Sequence, residues 1–225
     1  MSIPDTTALL LTLRLAAVTT IVLLFIGTPL AWWLSQTRSR LKPALEAVVA
    51  LPLVLPPTVL GFYLLVAMNP EAPLGRAWIS FTGETLSFSF AGLVVGSVIY
   101  SLPFMVQPLQ TAFQATGRSA MEAAASLGAS PIDAFISVAV PLASRGFLTA
   151  SVLSFAHTMG EFGVVLMIGG NIPDRTRVVS IEIYEHVETL NYNDANALSL
   201  LLITISFAVL LAVYALNRRE AVDVG

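Results

Sequence analysis

The hydrocarbon core of a bilayer is about 30 Å thick, and a helix that crosses it needs roughly 20 consecutive, mostly apolar residues. This sequence holds about five runs of that kind, at residues 8–34, 44–68, 88–113, 147–170 and 197–216. Each run is apolar all the way round rather than along one stripe, the pattern of a membrane span and not of a surface helix. The first run is long enough to tilt in the bilayer or to project from it. The runs predict an all-α integral membrane protein, with residues 1–225 forming a single transmembrane domain.

Composition agrees with the runs and narrows the function. Only 11% of the residues are charged and 56% are hydrophobic, against about 25% charged in a soluble domain. There are no cysteines, which excludes disulfides, thiolate catalysis and zinc–thiolate sites. No G-x-x-x-x-G-K-[ST] loop is present, so the chain does not bind ATP in the P-loop manner. Neither a nucleophile–base constellation nor a cluster of metal ligands appears, nor any internal repeat. The expectation is a transport component, not an enzyme, with no cofactor of its own and no nucleic-acid partner. Residues 1–7 carry an Asp and no Lys or Arg, and the apolar run that follows is too long for a signal peptide, so no cleavable leader is expected.

The positive-inside rule orients the spans. Arg38, Arg40 and Lys42 lie between the first and second runs, Arg118 and Arg145 between the third and fourth, and Arg218 and Arg219 after the fifth. These share one side. The other side receives Arg76, Arg175 and Arg177 among many acids: Asp5, Glu71, Glu84, Asp174, Glu182, Glu185, Glu188 and Asp194. The N-terminus is therefore expected outside and the C-terminus in the cytoplasm, with residues 118–141 on the cytoplasmic face.

That cytoplasmic segment spells a corner between two short helices. Ser119 and Glu122 have the spacing of a capping box, and the alanines between Ala120 and Ala125 favour a helix. Gly128 is suited to end it in a left-handed conformation. Ser130 then caps a second helix that has Pro131 at its first position and Asp133 in its first turn. Pro141 marks the entry to the fourth span.

The same residues carry a resemblance. Glu122-Ala123-Ala124, three residues, Gly128, nine residues, Val138, one residue and Val140-Pro141 resemble the EAA motif of ABC importer permeases, with Val in place of the motif's Ile and Leu. The stretches LPLVLPPTVLGFYLL (51–65) and GEFGVVLMIGGNIPDRTRVVSIEIY (160–184) are similar to the permease subunits of the molybdate, tungstate and sulfate group. The resemblance implies the type I ABC importer permease fold in the cell inner membrane. It also implies a pathway for molybdate, with tungstate or sulfate as the alternatives. The segment 118–141 would be the coupling hairpin that docks in a groove of the ATPase, with Glu122, Ala123, Ala124, Gly128 and Pro141 as its contact and corner positions. The implied partners are two ATP-binding subunits, which carry the ATP and Mg, a second copy of the chain, and a periplasmic oxyanion-binding protein. Some relatives carry an additional N-terminal span; with the first apolar run starting at residue 8, none is expected here.

Within the spans, a tetrahedral oxyanion calls for hydrogen-bond donors and a positive environment rather than a fixed cation that would trap it. Ionisable groups are few: Arg14, placed to snorkel at the outer end of the first span, and His157 and Glu161. His157 and Glu161 stand four apart and so are expected to share one helical face, which Ser154 extends. A bare carboxylate would repel an anion, so Glu161 is read as an interior or gate-forming group paired with His157 or with a donor on another span; a plain packing contact is the alternative. Pro52, Pro56 and Pro57 would bend the second span, either beside the pathway or for packing alone. Thr58, Ser97 and Ser101 are donors that could line the path. Gly61, and Gly92 with Gly96, suit close helix packing. Arg175 and Arg177 could dock the binding protein or guide the anion, or simply belong to a solvated loop. Two other classes stay open: a proton-coupled secondary transporter working through His157 and Glu161, and a membrane scaffold without transport.

Overall fold

The computed structural model describes residues 6–219. The expected absence of a leader, and Asp5 among the outer acids, fall on residues outside that range. In chain order the helices are α1 (Thr6–Gln36), α2 (Lys42–Val54), α3 (Pro57–Ala67), α4 (Pro73–Thr82), α5 (Phe90–Ser126), α6 (Pro131–Ala134), a π-helical turn (Phe135–Ala139), α7 (Val140–Leu142), α8 (Ser144–Met159), α9 (Gly163–Gly169), α10 (Val179–Glu188) and α11 (Tyr192–Arg219). No strand occurs among the described residues.

Among the described residues, three helical stretches are long and apolar enough to cross a membrane: Thr6–Gln36, Phe90–Gly117 and Tyr192–Leu211. Two bent pairs, α2 with α3 and Pro131–Leu142 with α8, raise the number to as many as five if each counts as one span. The runs at 8–34, 88–113 and 197–216 therefore appear as continuous helices. The other two do not. The run at 44–68 is broken at Leu55 and Pro56 into α2 and α3, whose axes turn by 109°. Pro57 opens α3 and the residue before it, Pro56, is extended (φ −54°, ψ 133°), as the ring of a following proline demands. The bend read from the prolines is thus a full corner. The run at 147–170 is also interrupted. It starts earlier, at Ser144, stops at Met159, and resumes as α9 after the non-helical Phe162 (φ −127°, ψ −65°).

α1 and α5 form the axis of the bundle, with α8 packed against both. Their shared core contains Leu23, Leu34, Met105, Leu109 and Phe113, all fully buried. Phe113 meets Trp32 edge-on (centroids 5.1 Å apart) and Phe147 likewise (5.8 Å), and Trp32 also meets Phe135 (5.1 Å). Helices in lipid are held by such dispersion contacts rather than by exclusion of water. A second core joins α1, α5, α9 and α10 through Leu15, Leu93, Val164, Ile168 and Ile181. Two of the buried threonines in α1 are satisfied locally: Thr12 and Thr20 donate to the carbonyls of Ala8 and Ala16 at 2.8 and 2.7 Å. Arg14 is exposed with its guanidinium 4.5 Å from the centre of the Phe90 ring.

The glycines divide. A Cβ at Gly96 would meet Ile168 Cδ1 at 2.2 Å and one at Gly61 would meet Met167 Cβ at 2.7 Å, so both allow α9 to approach its neighbours. Gly92 differs: a Cβ there would meet the carbonyl of Leu86 at 2.2 Å, in the turn that precedes its own helix. The Gly92–Gly96 pair is therefore not a helix-packing pair. At Gly61, Val164 Cα also stands 3.3 Å from the added carbon, so the backbones of α3 and α9 must separate. Gly61→Ala is expected to cost about 1–3 kcal/mol of overpacking strain, read as a lower thermal midpoint of the detergent-solubilised protein.

Candidate functional site

The two interrupted spans meet at their interruptions. A Cβ on Gly163, at the start of α9, would lie 2.8 Å from Pro57 Cβ, at the start of α3. Beside this contact opens a cleft of about 560 Å³, lined by Pro57, Thr58, Tyr100, Ala156, His157, Gly160, Glu161, Phe162 and Gly163. Its polar groups are hydroxyls, an imidazole and a carboxyl, with no Lys or Arg in the lining.

Of the residues singled out for the pathway, Thr58, His157 and Glu161 line this cleft. Ser101 stands behind it, with Oγ 2.9 Å from His157 Nδ1 and 3.0 Å from Thr158 Oγ1. The His157 ring is stacked on Phe104 (centroids 4.1 Å apart) and tilted against Tyr100 (4.8 Å). Two aromatic walls and one hydroxyl thus fix the ring's orientation. Pro56 does not line the cleft; it is exposed at the corner, and its neighbour Pro57 takes the lining position.

Glu161 lies past the C-terminal end of α8, so it does not share a helical face with His157. Its partner is on another span. Ser97 Oγ on α5 donates to Glu161 Oε2 at 2.6 Å, while Oε1 is buried without a partner among the described residues. The backbone carbonyl of Glu161 accepts from Ser180 Oγ on α10 at 2.6 Å. One residue therefore joins α5, the α8–α9 break and α10. Ser154 is buried in α8, one turn before His157 and Thr158. Sequence reasoning did not find Tyr100 or Ser180. Tyr100 is one residue from Ser101 and could have been found by the same donor argument; nothing local marks Ser180.

The segment 171–178 is tied to α10. Arg177 donates from Nε to Asn171 Oδ1 at 2.6 Å and lies 3.1 Å from Glu185 Oε2, to which Asn171 Nδ2 also donates at 2.8 Å. Arg177 is thereby committed within the chain, whereas Arg175 is exposed. The N–H of Val179 donates to Thr12 Oγ1 at 2.9 Å, seating the start of α10 on α1.

At the other end of α5 the corner is formed as the local signals require. The helix is kinked at Gly117, whose φ of 73° lies in the left-handed region. The arm carrying Glu122, Ala123 and Ala124 follows and ends at Leu127. Gly128 takes φ 89°, its N–H donates to the carbonyl of Ala125 at 3.0 Å, and the N–H of Ala129 donates to that of Ala124 at 3.0 Å. These two bonds make a Schellman closure. Ser130 Oγ then accepts from the N–H of Asp133 at 3.2 Å, with Pro131 at the first helical position. Glu122, Ala123 and Gly128 are exposed and Ala124 is half-buried. Pro141 is exposed in α7, just before the chain turns by 72° into α8.

Comparison with known proteins places this architecture. The family model described as "Binding-protein-dependent transport system inner membrane component" matches residues 23–221. The chain belongs to that family. It is 58% identical over 217 residues to the molybdenum transport system permease protein ModB of Azotobacter vinelandii, covering 96% of each chain. Among solved structures, a bacterial ABC transporter that imports the acidic polysaccharide alginate superposes with a TM-score of 0.77 at 16% identity, covering 97% of this permease and 80% of that chain. The MetNI methionine ABC transporter superposes with a TM-score of 0.75 at 19% identity, covering 96% and 95%. The fold is that of an ABC transporter permease, a multi-pass integral membrane protein.

Replacing Ser97 by Ala would strip Glu161 Oε2 of its donor and leave the buried carboxyl without the only side-chain bond described for it. The expected loss is about 1–3 kcal/mol of stability, measurable as a drop in the thermal midpoint of the purified permease in detergent.

Proposed function

We propose that this permease is the membrane-spanning subunit of an ATP-driven importer of molybdate in the cell inner membrane. Residues 1–225 act as one permease domain, with the N-terminus outside and the C-terminus cytoplasmic. Two copies form the pathway and two ATPase subunits drive it. A periplasmic oxyanion-binding protein delivers the anion, with Arg175 as a docking contact. The molybdenum permease of Azotobacter vinelandii, 58% identical over almost the whole chain, supports the substrate class. The observation that carries the coupling role is the corner at Gly128. It exposes Glu122 and Ala123 on a helix end closed by paired backbone bonds. Small alanine side chains let another protein's surface approach the helix backbone closely. A rigid, exposed corner of this kind serves a partner ATPase; a proton-coupled transporter acting alone has no use for it.

The hydroxyls and the imidazole of the cleft suit the cargo, and the one carboxyl in its lining, Glu161, is buried and bonded to Ser97. Molybdate, tungstate and sulfate are tetrahedral dianions that accept hydrogen bonds on every oxygen. Thr58, Tyr100 and His157 offer donors, and the first turn of α3 adds the partial positive charge of a helix start. Without a fixed cation in the lining, the anion is held weakly enough to leave.

The experiment is uptake of labelled molybdate into proteoliposomes that hold the permease, its ATPase and its binding protein. Uptake is expected to need ATP, to survive a protonophore, and to be competed by tungstate and sulfate to measurable extents. Uptake indifferent to ATP and abolished by the protonophore would replace this reading with proton-coupled transport. Gly128→Pro tests the corner separately. Proline cannot reach φ 89° and removes the N–H bonded to Ala125. The variant is expected to insert normally and to lose ATP-driven uptake, whereas undiminished uptake would end the coupling assignment.

A further inference from the structure

Between α3 and α5 the chain forms α4, a helix of 10 residues that is too short to span a bilayer. It packs mainly on the turn that precedes it, at the end of α3. Gly75 is buried, and a Cβ added there would lie 2.0 Å from the backbone oxygen of Asn69. Ile79, one turn later on the same side, is half-buried. Leu74, Trp78 and Phe81 follow the i, i+4, i+7 spacing of one helical face, and Ala77 falls beside them. The two ends of that face are open, Leu74 at 49% and Phe81 at 89% exposed, with Trp78 half-buried between them. Arg76 and Ser80, both exposed, share the opposite side. Seen down its axis, α4 therefore has an apolar side, a polar side opposite, and the protein between them.

We propose that α4 is an interfacial helix, lying flat at the membrane surface with Leu74, Trp78 and Phe81 seated among the lipid headgroups and upper acyl chains. Lipid is the occupant because of where the helix is tethered. α3, one half of an apolar helix pair of membrane-spanning length, ends at Ala67, and α4 starts at Pro73. Six residue steps reach at most about 20 Å, so α4 is held close to that apolar pair. Exposed apolar side chains also sit on α3 itself: Phe62, Tyr63 and Val66 on its last turns are 50%, 66% and 52% exposed. A tryptophan flanked by aliphatic and phenyl groups is the side-chain set that favours the headgroup region. With the apolar side down, Arg76 and Ser80 reach water, and every face of the helix meets a medium that suits it.

The absence of cysteine gives a clean test. Phe81→Cys, Leu74→Cys and Ser80→Cys each create a single site for a nitroxide label in the full permease, reconstituted in vesicles with its ATPase. Collision rates are then measured with oxygen, which concentrates in lipid, and with a water-soluble nickel chelate. Labels at 81 and 74 are expected to show an oxygen-to-nickel ratio several-fold above that of the label at 80. Equal ratios at all three positions would place the helix in water and overturn the proposal. Labels at 81 and 74 shielded from both reagents would mean that a second copy covers the face. Shielding that appears only when the binding protein is added would assign the face to that protein. Either outcome displaces lipid as the occupant.

Discussion

In hydrocarbon no water is available to take up a free N–H or C=O, so a broken span survives only where the protein itself satisfies the break. Two spans are broken here, and the rest of the structure follows from how the breaks are closed. At the first, the N–H groups of Val59 and Leu60 both turn back to the carbonyl of Pro56 at 2.9 and 3.2 Å. At the second, the N–H of Gly160 bonds to His157 at 3.1 Å, and the carbonyl of Glu161 is taken by Ser180 from another helix. The two breaks lie against each other through Pro57 and Gly163, where only a missing side chain permits the approach. Irregular backbone in a membrane protein is tolerated where it lines a cavity, and here it borders the cleft.

How much of this is legible in the sequence depends on the range of the forces. The corner was readable to the residue, since Gly128, Ser130 and Pro131 act on backbone groups within a few positions of themselves. The apolar runs gave the helices α1, α5 and α11, because bilayer thickness sets their length. The broken spans were only half readable. Prolines 56 and 57 announced a bend, but neither its 109° size nor the packing of α9 against α3 is encoded in a local pattern. The i, i+4 spacing of His157 and Glu161 misled for the same reason: it presumes a continuous helix, and the helix stops between them. Glu161 bonds to Ser97, 64 positions earlier, and its carbonyl to Ser180, 19 positions later. The arginines at 175 and 177 look equivalent on paper; only the fold shows that Asn171 and Glu185 occupy one of them.

The cleft and the corner share one helix. α5 supplies Tyr100 to the cleft wall, Ser97 and Ser101 to the residues behind it, and Phe113 to the aromatic core further along. That core holds Trp32 from α1, Phe147 from α8 and Phe135 from the π-helical turn. The segment after the corner is therefore packed into the same cluster that fixes α1, α5 and α8 relative to one another. Ala134 and Ala139, both buried, bring it close enough for Phe135 to reach Trp32.

The two legs of the corner are consequently unequal. The leg after Ser130 is built in, as a beam is built into a wall, with Phe135 among the core rings and Ala139 beneath them. The leg before it meets the long helix at a single glycine, Gly117, and rests on the core through Met121. In statics this is a bracket with one fixed end and one pinned end. The fixed member continues through α7 directly into α8, whose end leads to the Glu161 break.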